Sequence, residues 1–121
     1  MNKVSNFVWV TFQKEGIHRY PDAALNERLN DVNFLGYAHR HIFHFKVQLE
    51  VFHDDRDVEF IQFKRWCEAL YAGDVLQIDH MSCEMLSDEL AEQISLTYPG
   101  RCVIIDVSED RENGSHASYK P

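Results

Sequence analysis

Residues 41–53 read HIFHFKVQLEVFH, a run in which Phe43, Phe45, Val47, Leu49 and Val51 alternate with His44, Lys46, Gln48 and Glu50. Successive side chains of an extended chain point to opposite sides, so a period of two predicts one long strand, with an apolar face on a core and a polar face toward solvent or another subunit. The fold is read outward from it. Upstream, Val8, Val10 and Phe12 alternate with Trp9, Thr11 and Gln13, which predicts a first strand over Asn6 to Gln13. Between the two, residues 14–37 carry Gly16, Pro21, Asp22, Asn26, Asn30 and Gly36 among scattered apolar positions. That spacing predicts a long irregular excursion with a short helix near Ala23 to Leu29, and loops of such length in compact domains are usually functional.

Downstream, Asp54 to Asp57 form a charged turn, after which Phe60, Phe63, Trp66, Cys67 and Leu70 recur at helical spacing until Gly73. A second helix is expected to start at Ser87 as N-cap. Asp88 and Glu89 then occupy the first turn, where the helix dipole favours acids, Leu86, Leu90, Ala91 and Ile94 face inward, and Pro99-Gly100 terminates it. Cys102 to Val107 is nearly all apolar and reads as a strand, Asp110 to Gly114 as a polar turn, and His116 to Lys120 as a last strand. The order ββααββ predicts an α+β domain spanning residues 1–121, an antiparallel four-stranded sheet with two helices on one face. The open edges of such a sheet invite assembly with further copies.

Composition narrows the function classes. A chain of 121 residues with 45% hydrophobic content has enough apolar surface for one core and not for two. No stretch approaches the ~18 consecutive apolar residues of a membrane span, and Met1 to Phe12 lacks the basic-then-apolar layout of a signal peptide, so a cytoplasmic protein without a membrane partner is expected. Cys67, Cys83 and Cys102 form no CxxC pair, which argues for free thiols. A net charge of −8 with scattered Lys and Arg opposes phosphate backbones and excludes nucleic acid as the expected partner.

The seven histidines raise the question of a metal. In extended backbone His39 and His41 point to the same side and can converge on one ion at about 2.0–2.1 Å from nitrogen to zinc, unless they are simply half-exposed residues at a strand end. A third nitrogen is available from His18, just after the first strand. Three histidines and an open position describe a catalytic rather than a structural zinc site. Asp79-His80, between the helices, can act as a proton-transfer pair, or be no more than a polar loop. Glu109 is in phase with Val103, Ile105 and Val107, and a carboxylate on a core face needs donors, which a ligand or water at a frayed strand end would supply. His44, His53 and His116 show no such convergence.

These residues in this order resemble the superfamily of 6-pyruvoyl-tetrahydropterin and 6-carboxy-tetrahydropterin synthases over nearly the whole chain. His18 matches that family's first zinc histidine and His39-Arg40-His41 its HGH motif. Val58 to Lys64 is similar to the start of its first helix, Ile78-Asp79-His80 to its L-D-H, Met85 to Glu89 loosely to its P-T-x-E, and Val107-Ser108-Glu109-Asp110 to its V-x-E-T. The resemblance implies a tunnelling-fold subunit, usually in a homohexamer, with zinc on His18, His39 and His41. It further implies proton shuttling by Asp79 and His80, a heterocyclic small-molecule substrate held by Glu109, and carbon–oxygen lyase activity on dihydroneopterin triphosphate or a related 7-deazaguanine (queuosine) pathway intermediate. Two positions depart from the pattern. Leu35 stands where the family has its base cysteine, which leaves Glu27, Asp31, Tyr37 or Cys83 as substitutes, and Arg40 replaces glycine beside the metal, where it could bind an anionic group. A divergent enzyme on another heterocycle, or a catalytically silent zinc-containing binder of a pterin- or purine-like ligand, are the alternatives.

Overall fold

The long alternating run forms a strand, β2 (His39–Val51), paired antiparallel along its full length with β1 (Asn6–His18), in a computed structural model that describes residues 1–121. The register sets Val10 opposite Val47 and Phe12 opposite Phe45, whose rings stack at 4.7 Å. On its other edge β2 pairs antiparallel with β4 (Val103–Glu109), and β4 with β5 (Asn113–Tyr119). Two helices, α1 (Phe60–Ala69) and α2 (Cys83–Thr97), bring Phe63, Cys67, Leu86, Leu90 and Ile94 into one buried cluster with Val10, Phe12, Phe45, Val47, Ile105 and Val107. Since those strand residues share one phase of the pleat, both helices cover the same face. The opposite phase leaves Trp9, Thr11, Gln13 and Lys46 exposed, with Trp9 at 57% and the Lys46 ammonium 4.9 Å above its ring.

The α+β class and the two helices on one face agree with the sequence reading, whereas the sheet has five strands instead of four and is mixed. The added strand, β3 (Val75–Asp79), runs parallel to β1 and gives the order β3-β1-β2-β4-β5. Five residues are too few for an alternation to show. What makes the segment a strand is pairing with Glu15 to His18, a contact remote in sequence. For the same reason β1 continues to His18 where an irregular excursion was expected. Gly16 permits it by being small: a Cβ there would lie 2.5 Å from Ile78 Cδ1 and 2.9 Å from the Phe43 ring.

The rest of the excursion holds two 3₁₀ segments, Pro21–Ala24 and Glu27–Gly36, the second kinked at Leu29 and Val32, in place of a single short helix. Helix α2 starts one turn earlier than Ser87 suggests. Ser82 is the cap, its hydroxyl accepting from the Met85 N–H at 3.2 Å, while Ser87 is buried in the helix against the Tyr119 hydroxyl at 2.8 Å. Both serines precede acidic residues, and only the packing of Leu86 and Cys83 selects the earlier one. Strand β5 begins at Asn113 because a tight turn through Asp110 and Arg111, both at positive φ, closes the hairpin sooner. No helix is long and apolar enough to cross a membrane.

Candidate metal centre

His18 ends β1, and His39 and His41 are the first and third residues of β2. Antiparallel register places His18 opposite His39 and Gly16 opposite His41, so all three imidazoles rise from the helix-covered face at one end of the sheet. Below them lies Phe43, fully buried, its ring edge-on to His18 at 5.1 Å and to His41 at 5.9 Å. Gly16, lacking a side chain, leaves the volume that Phe43 and Ile78 fill under the rings. The ring centroids are 4.7, 5.4 and 5.0 Å apart, and one nitrogen from each ring lies within 4.8 Å of the other two.

The tautomers follow from the partners. His18 Nδ1 is 3.0 Å from the Met81 carbonyl, His39 Nδ1 is 2.8 Å from the Tyr37 carbonyl, and His41 Nδ1 is 2.7 Å from Asp110 Oδ2. Carbonyl and carboxylate oxygens only accept, so each Nδ1 carries the proton and donates it, and each neutral ring keeps its lone pair on Nε2. Such outer partners orient metal-binding imidazoles and raise their basicity. The Asp110 carboxyl is itself held below the usual carboxylate range by the Ile42 N–H, which donates to it at 2.9 Å, and then by His41. Inside the triad, Nε2 of His18 and of His41 are buried with no hydrogen-bond partner. Orphaned buried acceptors, three converging nitrogens and fixed tautomers fit a cation: this group can hold a metal ion.

In front of the group opens a cleft of about 820 Å³, lined by His18, His39, Glu109 and His80 together with Leu35 and Cys83. The capped N-terminus of α2 forms one wall and the β4–β5 turn another. Glu109 is where its phase predicts, last on β4 and opposite Phe43, with Oε1 3.2 Å from His18 Nε2 and Oε2 3.4 Å from His41 Nε2.

Asp79 and His80 are brought less close. Asp79, at φ +62, ends β3 with its carbonyl accepting from the Arg19 N–H, and its carboxylate is 3.9 Å from His80 Nδ1, both side chains being largely exposed. No hydrogen bond joins them, and only His80 lines the cleft. Of the substitutes for the base, Cys83 lines the cleft but burial, with Glu109 next, pushes its thiol up to about 12. Glu27, Asp31 and Tyr37 lie on the outer 3₁₀ segment and its end, away from the lining, Tyr37 serving through its carbonyl. Arg40 is corrected: sitting between two inward histidines of a strand, it points to the other face and pairs with Glu15 at 2.6 Å, not with anything at the metal.

The sequence reading missed Asp110, taken as a polar turn residue. Its one signal is adjacency to Glu109: once β4 is paired with β2, the next residue must fall beside Ile42 and His41. Set against known proteins, the chain matches no family model and no curated protein.

Proposed function

We propose that the chain is a zinc-dependent, lyase-like enzyme acting on a pterin such as dihydroneopterin triphosphate, in the manner of a 6-carboxy- or 6-pyruvoyl-tetrahydropterin synthase. The observation that carries the reading is the set of three imidazoles, each locked by an acceptor at Nδ1, whose remaining nitrogens converge at the head of an open cleft. Zinc held there by His18, His39 and His41 would supply a Lewis acid able to polarise an oxygen of the substrate. The chain's own residues supply the rest. His80 stands on the cleft wall, where its imidazole can pass a proton to or from a bound molecule, with the Asp79 carboxylate 3.9 Å away. Leu35 and Met81 give the lining an apolar patch suited to a flat heterocycle, and on the family pattern Glu109 holds its ring nitrogens. The exposed outer sheet face and its open edges are compatible with the homohexamer that the resemblance implies.

One observation favours a second reading, a zinc-containing binder of a pterin- or purine-like ligand without turnover. Leucine occupies the family's base position on the cleft wall, and the nearby thiol of Cys83 stays protonated at neutral pH.

The two separate in one experiment. Elemental analysis of the purified chain should find stoichiometric zinc, lost in a His39→Ala, His41→Ala double variant, and the loaded protein should convert dihydroneopterin triphosphate to a new product on chromatography. Zinc with tight ligand binding and no product would establish the binder. Equal metal content in wild type and double variant would refute the site.

A further inference from the structure

The three histidines account for each other but not for the acid among them. Every imidazole donates outward through Nδ1–H, so what faces inward is lone pairs on Nε2. The Glu109 carboxylate lies beside two of these rings, 3.2 Å from His18 Nε2 and 3.4 Å from His41 Nε2, and it too offers only lone pairs. Neither His18 nor His41 finds a hydrogen-bond partner for Nε2, and His18 is only 8% exposed, too covered for bulk water to make good the loss. With both rings neutral, acceptors gathered at this range repel one another, and a cation among them, a metal ion or a second imidazole proton, relieves that repulsion. The register of β4 makes the approach obligatory, because Glu109 continues the inward phase of Val103, Ile105 and Val107 and emerges beside Phe43, directly under the rings.

We infer that Glu109 is a ligand of the metal, completing a site of three imidazoles and one carboxylate for a divalent transition-metal ion. The inference rests on the metal-site reading above and moves Glu109 from the heterocycle to the ion. A carboxylate beside three imidazoles widens the range of acceptable ions, since imidazole suits zinc, iron and nickel while carboxylate also suits manganese. With zinc, four protein donors make the closed shell of a structural site, so a ligand in the cleft reaches the ion only by displacing Glu109 or adding to the shell. An ion that prefers six donors keeps open positions.

The test uses the full chain, stripped by a chelator, as wild type, E109Q and E109D. Zinc and cobalt(II) affinities are measured by competition with a chromogenic chelator, and the cobalt forms are compared by visible absorption. Outer partners of a metal site are worth about 10–100-fold in affinity, so E109Q should lose more than about 100-fold and shift the cobalt bands, with E109D between the two. The metal-free E109Q protein should melt above metal-free wild type, because a carboxamide N–H can donate to a bare Nε2. Unchanged affinity and cobalt bands in E109Q, with wild type loading fully, would overturn the assignment while leaving the three-histidine site intact. If E109Q fails to fold, unchanged affinity and cobalt bands in E109A, which also lacks the carboxylate, would overturn it. Wild type that binds neither ion would remove the histidine site, and Glu109 with it.

Discussion

His41 meets consecutive acids at its two nitrogens, bonded at Nδ1 to Asp110 and left without a hydrogen bond at Nε2, 3.4 Å from Glu109. The two carboxylates have different tasks. Asp110 accepts from His41 through one oxygen and from the Ile42 N–H through the other, which a carboxylate alone can do. In Asp110→Asn the amide has one oxygen for two donors. Either Ile42 loses its partner or the amide N–H faces Nδ1 and drives the proton to Nε2, where it blocks the metal. We expect zinc affinity to fall about 10–100-fold with stoichiometry retained, measurable by chelator competition. Unaltered affinity would make Asp110 a turn residue and nothing more. At this scale the sequence was informative about His39, His41 and the phase of Glu109, which follow from strand periodicity, and about His18 only as a third imidazole lying just after the expected first strand. Asp110 and the carbonyls of Tyr37 and Met81 were illegible, being fixed by which strands pair and not by local pattern.

Among the elements, β1 and β3 decide whether the site exists. Had β1 ended at Gln13, His18 would hang on a loop; it is rigid because Glu15 to His18 pair with β2 on one side and β3 on the other. Gly16 is the hinge of that arrangement. Gly16→Ala puts a methyl against Ile78 and Phe43, and overpacking of this kind costs roughly 1–3 kcal/mol. The expected outcome is a lower urea midpoint together with weaker metal binding, since Phe43 props His18 and His41. A variant of unchanged stability would show that Phe43 can move aside freely. The glycine read as a loop signal in sequence is thus a packing residue inside a strand, and the misplaced start of α2 has a similar origin. Ser82 and Ser87 are equivalent as caps until tertiary packing buries one of them.

On the scale of the molecule, both the helical layer and the four antiparallel strands were readable, since 13-residue alternation and amphipathic spacing are strong local signals. The parallel edge strand was not, because its identity is a long-range pairing. One ion pair binds distant parts at the end of the sheet away from the histidines: Arg101 donates to Asp57 at 2.9 Å and to the Glu50 carbonyl at 2.9 Å, and Phe52 N–H donates to Asp57. Arg101 and the Phe52 N–H hold the Asp57 carboxyl down at about 2. A depressed carboxyl stabilises the fold fully above its unfolded value, about 4, and that contribution fades as pH falls through the folded value. Urea midpoints of wild type should therefore drop between about pH 4 and pH 2. Asp57→Asn should be less stable at neutral pH, and the gap should close in acid. A gap independent of pH would show that the ion pair contributes no proton-linked stability.

The outer partners of the three rings belong to different connections of the chain: Tyr37 precedes β2, Met81 lies between β3 and α2, and Asp110 turns β4 into β5. An ion held by these rings would be a knot tying these three connections together through the strands that carry the rings. Much of its contribution would then be entropic, the closing of long loops at one point, as with a cross-link. The rim of the cleft would stiffen or slacken as a single unit when the ion comes or goes.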